Sequence, residues 1–233
     1  MTGAWQVLPL QRGTADRLLS DGVALFEDLR PEQPAILRWY RSTAPAIVLG
    51  RGQGALAIEP GGLPVLTRFS GGGAVWLSPD VLSLDVLLPA GHRWLANPQL
   101  TEVFVAVGRC WAEALDDLGV GELAVHQGRS TAQRRGSPRQ QLLAAVCYAT
   151  RGAGEVLWRE RKLVGLAQRR RRPGAMIQCG LLRRWRPQQL VASLGAEPDD
   201  PEILQAAVGL DDLMSGAPDD ETLMRAVEKA FGA

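Results

Sequence analysis

A chain of 233 residues, 46% of them apolar, can bury a sizeable core in one large α/β domain or one and a half smaller ones, which excludes disordered and fibrous classes. A net charge of +1 excludes a molecule that meets polyanions with its whole surface. No apolar run approaches the roughly 18 residues of a bilayer crossing, and Met1 to Gly13 lacks the basic, apolar, small-residue succession of a leader, so an unprocessed cytoplasmic protein is expected.

In chain order, Asp16 to Leu29 carries Leu18, Leu19, Val23 and Leu25 at helical spacing, with Pro31 and Pro34 closing the segment, and predicts a helix. Ala35 to Trp39, Ala46 to Leu49, Val65 to Phe69 and Val81 to Leu88 read as strands. A long helix follows over Leu100 to Leu118, with Asn97 and Pro98 before it and Gly119 behind it. Gly128 to Arg139 is polar, basic and turn-rich, so a surface loop is expected. Four strand-like pieces come next: Leu142 to Tyr148, Glu155 to Trp158, Lys162 to Gln168 and Ala175 to Leu182. Their short connections predict an antiparallel meander. From residue 187 the pattern is of short helices ending in Glu221 to Phe231. The expectation is an α+β fold with a mixed or antiparallel sheet flanked by helices: a single catalytic domain over 1–233, in which 187–233 forms a small helical portion.

Charge is uneven along the chain. Between Arg129 and Arg186 the only acids are Glu155 and Glu160, whereas the region after Ala196 is acidic. Such asymmetry suits a surface that meets an acidic partner, and solvated arginines explain it equally well. Cys110, Cys147 and Cys179 lack CxxC spacing, so neither a disulfide framework nor a metal site is expected.

Four features carry possible chemistry. Gly71, Gly72 and Gly73, preceded by Arg68 and Ser70 and followed by Ala74 and Val75, form a turn whose amides can receive an anion; a plain loop fits the triplet too. Arg51, between Gly50 and Gly52 and ahead of Gln53, can present a fork to a carboxylate or phosphate, or simply lie in a solvated turn. Lys162 is one of only two lysines, with Lys229, among 26 basic residues. A compact ammonium there suits a developing oxyanion, and a lysine snorkelling from a strand end is the alternative. Cys147, on the predicted strand ahead of Lys162, would gain thiolate character from nearby cations, or else be core.

Taken in order, these segments resemble the lipoate-protein ligase and octanoyl (lipoyl) transferase family of the biotin/lipoate ligase superfamily. Gly50 to Gln53 is similar to its GRxQ, Thr67 to Val75 to its RRxSGGGAV, Lys162 to Gln168 (with Gly165 and Ala167) to its KxxGSAQ, and Ile177 to Gly180 (with Cys179) to its LQHG. The similarity runs over roughly residues 15 to 230, Asp21 and Leu25 fitting the early helix. The resemblance implies an acyl pocket beside the glycine triplet, with Lys162 holding the acyl carbonyl.

Cysteine-dependent transferases of the family carry a Cys-Phe pair where Cys147 and Tyr148 stand, and ATP-dependent ligases usually add an accessory domain of about a hundred residues. A transferase is therefore the first expectation: an acyl carrier protein as donor, a lipoyl-domain or glycine-cleavage H-type protein as acceptor, and no cofactor. A ligase using lipoate, ATP and Mg2+ is the second. A non-catalytic carrier-binding or nucleic-acid-binding protein is the third, and nothing aromatic is interleaved with the arginines as base stacking would need. Four departures stand out: Thr67 for an arginine, Leu77 and Ser78 for His-Asp, Leu166 for a serine, and Cys179 for a histidine, which also offers a second thiol.

Overall fold

The computed structural model describes residues 4–97, 99–133 and 135–233. Met1 to Gly3, Pro98 in the start signal of the long helix, and Arg134 in the basic loop lie outside the described residues. The elements run β1 (Trp5–Gly13), α1 (Ala15–Glu27), β2 (Ala35–Ser42), β3 (Ala46–Leu49), β4 (Val65–Thr67), β5 (Val75–Leu77), β6 (Val81–Pro89), α2 (Leu100–Asp117), β7 (Leu123–Val125), α3 (Pro138–Ala145), β8 (Val156–Trp158), β9 (Arg161–Arg171), β10 (Gly174–Leu182) and α4 to α7 (Gln188–Ser193, Pro201–Ala206, Leu210–Leu213, Asp220–Phe231).

Seven strands form one sheet in the order β1-β2-β6-β10-β9-β8-β7; β1 pairs parallel with β2 and every other pair is antiparallel. A second, three-stranded sheet has the order β4-β3-β5. The mixed sheet and flanking helices are the α+β arrangement that the pattern predicted. Because strand side chains alternate between faces, Leu37, Trp39, Leu84, Val86 and Ile177 point into a core shared with Val107, Trp111 and Leu115 of α2 and Val227 and Phe231 of α7. The intervening residues face α1 and the small sheet. Burial on both faces explains why β2 and β6 read as near-continuous apolar runs instead of alternating.

The fold departs from the sequence reading in five places. Leu142 to Tyr148 is not a strand: Ser137 caps α3 through a reciprocal capping box with Gln140, Pro138 occupies the first helical turn, and a short 3-10 turn, Cys147–Ala149, follows. A capping box and an N-terminal proline outweigh a short apolar run that fits either period. Cys147 therefore sits on a turn. The meander nevertheless holds for β8, β9 and β10, joined first by Arg159 and Glu160, both at positive φ. The strands β1, β5 and β7 were not predicted. Finally, Val65 to Phe69 ends early, at Thr67, where the glycine turn begins.

Candidate active site

The site lies between the two sheets, where the glycine turn meets the turn bearing Cys147. The Ala74 amide donates to Ala145 O (2.6 Å) and the Cys147 amide donates to Ala74 O (2.9 Å). Gly73 is bare at this junction; a Cβ there would stand 2.7 Å from the Cys147 nitrogen, closer than real contacts allow. Gln53 joins the same assembly, its Nε2 donating to Ala145 O (3.0 Å) while its Oε1 accepts from the Gly50 amide (2.9 Å). Three segments far apart in sequence thus form one hydrogen-bonded unit.

Arg68 is buried and turned inward. Its guanidinium donates to Val48 O (3.3 Å), Gly71 O (2.6 Å), Gly73 O (2.8 Å) and Ser70 Oγ (3.2 Å), so it staples the glycine turn from behind. Ser70 Oγ donates to Gln178 Oε1 (2.6 Å). Next to Gln178 on the adjoining strand is Asp85, which accepts from Arg38 (2.8 Å) in a fully buried ion pair. Burial pushes the Asp85 carboxyl up to about 6, with Arg38 pulling it the other way.

Lys162 is 1% exposed and Glu155 4%. The Lys162 Nζ donates to Glu155 Oε2 (2.7 Å) and to the Cys147 carbonyl (2.6 Å). Glu155 also accepts from the Gly152 amide (2.6 Å) and, at 3.4 Å, from the Leu166 amide. Its carboxyl is raised by burial, against the pull of Lys162. A register shift between Val156 and Leu157, which pair with Val164 and Lys162, puts a bulge beside Lys162, a device that re-aims side chains near sites. Tyr148 donates to Gly180 O (2.8 Å), and its ring lies 3.2 Å from where a Cβ on Gly165 would be, so two glycines make room for one aromatic.

A narrow cavity of about 60 Å³ opens at this point. Its walls are largely apolar, with Leu19, Val48, Leu77, Val81 and Leu166 among them. Of the sequence-predicted site residues, Cys147, Arg68, Val75, Gly165, Ala167, Cys179 and Gly180 border it. Gly71, Gly72 and Gln168 border an adjoining open cleft of about 450 Å³, together with Arg129 and Gly152, and Leu166 and Ala167 line both spaces. Arg51 is exposed on its turn. Lys162 stands behind Cys147 and Tyr148 and is not among the wall residues of either space. Cys179 is 3% exposed within the core on the α2 side, and burial pushes its thiol far up; the Cys110 thiol is pushed up to about 12 for the same reason. Cys147 is half-buried at the cavity.

Sequence reasoning missed Glu155, Tyr148 and the Arg38–Asp85–Gln178 row. A signal existed for Glu155: it is one of two acids in a long basic stretch, seven residues before the unusual lysine. The row becomes visible only when Arg38 pairs with Asp85, and Asp85 with Gln178, across three strands.

Comparison with known proteins gives the family. Residues 23–232 match the profile of the lipoyl protein ligase A/B catalytic domain. No curated protein sequence matches the chain. Among solved structures, lipoate-protein ligase A bound with ATP superposes at TM-score 0.76 and 18% identity, over 100% of this chain and 85% of that one. The bi-partite lipoate protein ligase from Thermoplasma acidophilum, described with its E2 lipoyl domain, gives 0.70 and 17%, over 99% and 82%. A biotin protein ligase from Aquifex aeolicus in complex with biotin and ATP gives 0.51 and 13%, over 98% and 68%. At these identities the likeness is one of fold. The match over residues 23–232 assigns membership: the chain belongs to the lipoyl protein ligase A/B catalytic domain family, a family of enzymes of lipoyl attachment.

Proposed function

We propose that the protein moves an octanoyl or lipoyl group from an acyl carrier protein to a lysine of a lipoyl-domain or H-type protein, through a thioester on Cys147. The observation that carries this reading is the position of Cys147: of three cysteines, it alone pairs a half-buried thiol with the apolar cavity, whereas Cys110 and Cys179 are buried. In the first step the Cys147 thiolate attacks the carbonyl carbon of the donor thioester. The new carbon–sulfur bond forms, the old one breaks, and the carrier leaves as a thiol with one proton. In the second step the acceptor amine attacks the acyl-enzyme, an amide forms, and Cys147 is regenerated.

Lys162 acts as carbonyl holder. Its ammonium bonds the Cys147 carbonyl, which puts a positive charge at the residue that would carry the acyl group. Glu155 holds that ammonium in place. Mixing the protein with octanoyl carrier protein should yield a mass adduct that hydroxylamine removes and Cys147→Ser does not form; an unlabelled Cys147 in an active enzyme sinks the thioester step.

One observation favours a second reading, ATP-dependent activation of free lipoate: the open cleft beside Gly71, Gly72 and Gln168 has room for a nucleotide. Mg2+ would enter with its phosphates. Lipoate-dependent pyrophosphate release without any cysteine adduct selects that reading.

A further inference from the structure

The basic stretch from Arg129 to Arg186 is not one uniform surface. Of its fourteen described basic residues seven pair with acids, Lys162 with Glu155 among them, and on the polar loop Arg129 and Arg135 do not. Arg139 pairs with Asp200 and Glu202, Arg151 with Glu160, and Arg159 with Glu122; Arg183 and Arg184 pair with Asp211, and Arg186 with Asp212. Arg161 donates to the Ala207 carbonyl. Among the described residues Arg169, Arg170, Arg171 and Arg172 have no acid within 4.0 Å, and neither does Arg51. The sequence holds no acid between Glu160 and Glu197 that could follow this stretch along the hairpin.

Arg169 and Arg171 share a face of β9 as well as a charge, Arg170 turns to the opposite face, and Arg172 lies in the turn that follows. Arg169 is on the same face of β9 as Gly165 and Ala167, which border the cavity, and its guanidinium lies over the Phe69 ring at 5.3 Å. Phe69 leads into the glycine turn, and the Arg51 amide donates to Ser70 O (2.9 Å), so Arg51 stands across that turn. Partial burial, then the charges of Arg171 and Arg51, lower the Arg169 pKa, which puts all three in one field. Arg171 and Arg172 are exposed at the tip of the β9–β10 hairpin. At about 3.3 Å per strand residue, Arg169 and Arg171 stand roughly 13 and 20 Å beyond Gly165.

We infer that this ridge, Arg169 and Arg171 with Arg172 at the hairpin tip and Arg51 across the glycine turn, is the docking surface for the acidic face of the acyl donor, a small acidic protein that presents its thioester on a flexible arm. The inference rests on the transferase reading. The ridge begins where the cavity ends and continues outward along the strand, which is where the body of a carrier must stand if its arm is to reach Cys147. Unpaired charge of one sign steers an oppositely charged partner and fixes its orientation. An acceptor lysine needs no such standoff, because it belongs to the protein surface itself.

The test measures binding of fluorescently labelled octanoyl carrier protein to the full-length protein by anisotropy, independently of turnover. Arg171→Glu with Arg172→Glu should weaken binding about tenfold or more and flatten its salt dependence. Arg225→Glu, an equally exposed charge on α7, should leave binding unchanged. Acylation of the double variant by octanoyl-pantetheine, a donor without a protein body, should match that of the unaltered protein. Binding that survives the double reversal, or that Arg225→Glu weakens equally, overturns the inference. So does a loss confined to an added lipoyl domain, which would make the acceptor the occupant. A protein that binds the carrier through the ridge but forms no adduct with either donor overturns the thioester reading and leaves the ridge standing.

Discussion

Replacing Glu155 by glutamine tests the buried pair at the centre of the site. The ammonium and carboxylate are 2.7 Å apart and almost solvent-free. With an effective dielectric constant of about 20 their attraction is roughly 6 kcal/mol, which the desolvation of two ions largely offsets, so the intact pair contributes little net stability. Breaking it is different. Glu155→Gln strands the Lys162 ammonium with only the Cys147 carbonyl and an amide oxygen, and removal of one partner of a buried pair costs about 3–5 kcal/mol. The amide oxygen can still accept, so the expected loss is at the lower end, about 3 kcal/mol.

Lys162→Met should cost less, because the Glu155 carboxyl, raised by burial and freed of the pull of Lys162, can take up a proton and become neutral, against the opposing hydrogen bonds of two amides. The double variant should recover most of the Glu155→Gln loss. Urea unfolding midpoints of all four proteins complete the cycle. A Glu155→Gln loss below about 1 kcal/mol, or a double variant as unstable as the sum of the singles, refutes this account.

Two further outcomes follow from the geometry. Asp85 is protonated in folded and unfolded chains below about pH 4; as pH rises to about 6 the unfolded carboxyl ionises while the buried one keeps its proton. The unaltered protein should therefore lose about 3 kcal/mol relative to Asp85→Asn between pH 4 and 7, read from urea unfolding across that range. A relative gain would mean that the Arg38 attraction wins over burial. At the glycine turn, Gly73→Ala should lower the Tm by at least about 5 °C, because its Cβ meets the backbone of the cysteine turn at 2.7 Å. Gly71→Ala, with nothing within 4 Å of its Cβ, should shift the Tm by less than about 2 °C. Equal shifts in thermal unfolding would show that the close approach at Gly73 does not hold the turn.

By itself the sequence determined the elements whose signals are local: the helices α1 and α2, the meander β8 to β10, and the ordered motifs that give the family. It also pointed to Lys162, because a lone lysine in an apolar strand of an arginine-rich chain is an anomaly that needs no partner to be seen. The tertiary structure decided what those residues touch. Arg68 reads in sequence only as a residue ahead of an anion-receptive glycine turn, yet its guanidinium is consumed by three carbonyls of the strand and turn around it. Cys147 reads as a strand residue, yet a capping box ten residues earlier makes the segment a helix and leaves the thiol on a turn. Which arginines of the basic stretch remain unpaired depended on acids up to 63 residues distant in the chain, as for Arg139 and Glu202. Hydrogen bonds and ion pairs form between groups that meet in space, and spacing along one chain carries no record of those meetings until the sheet register is set.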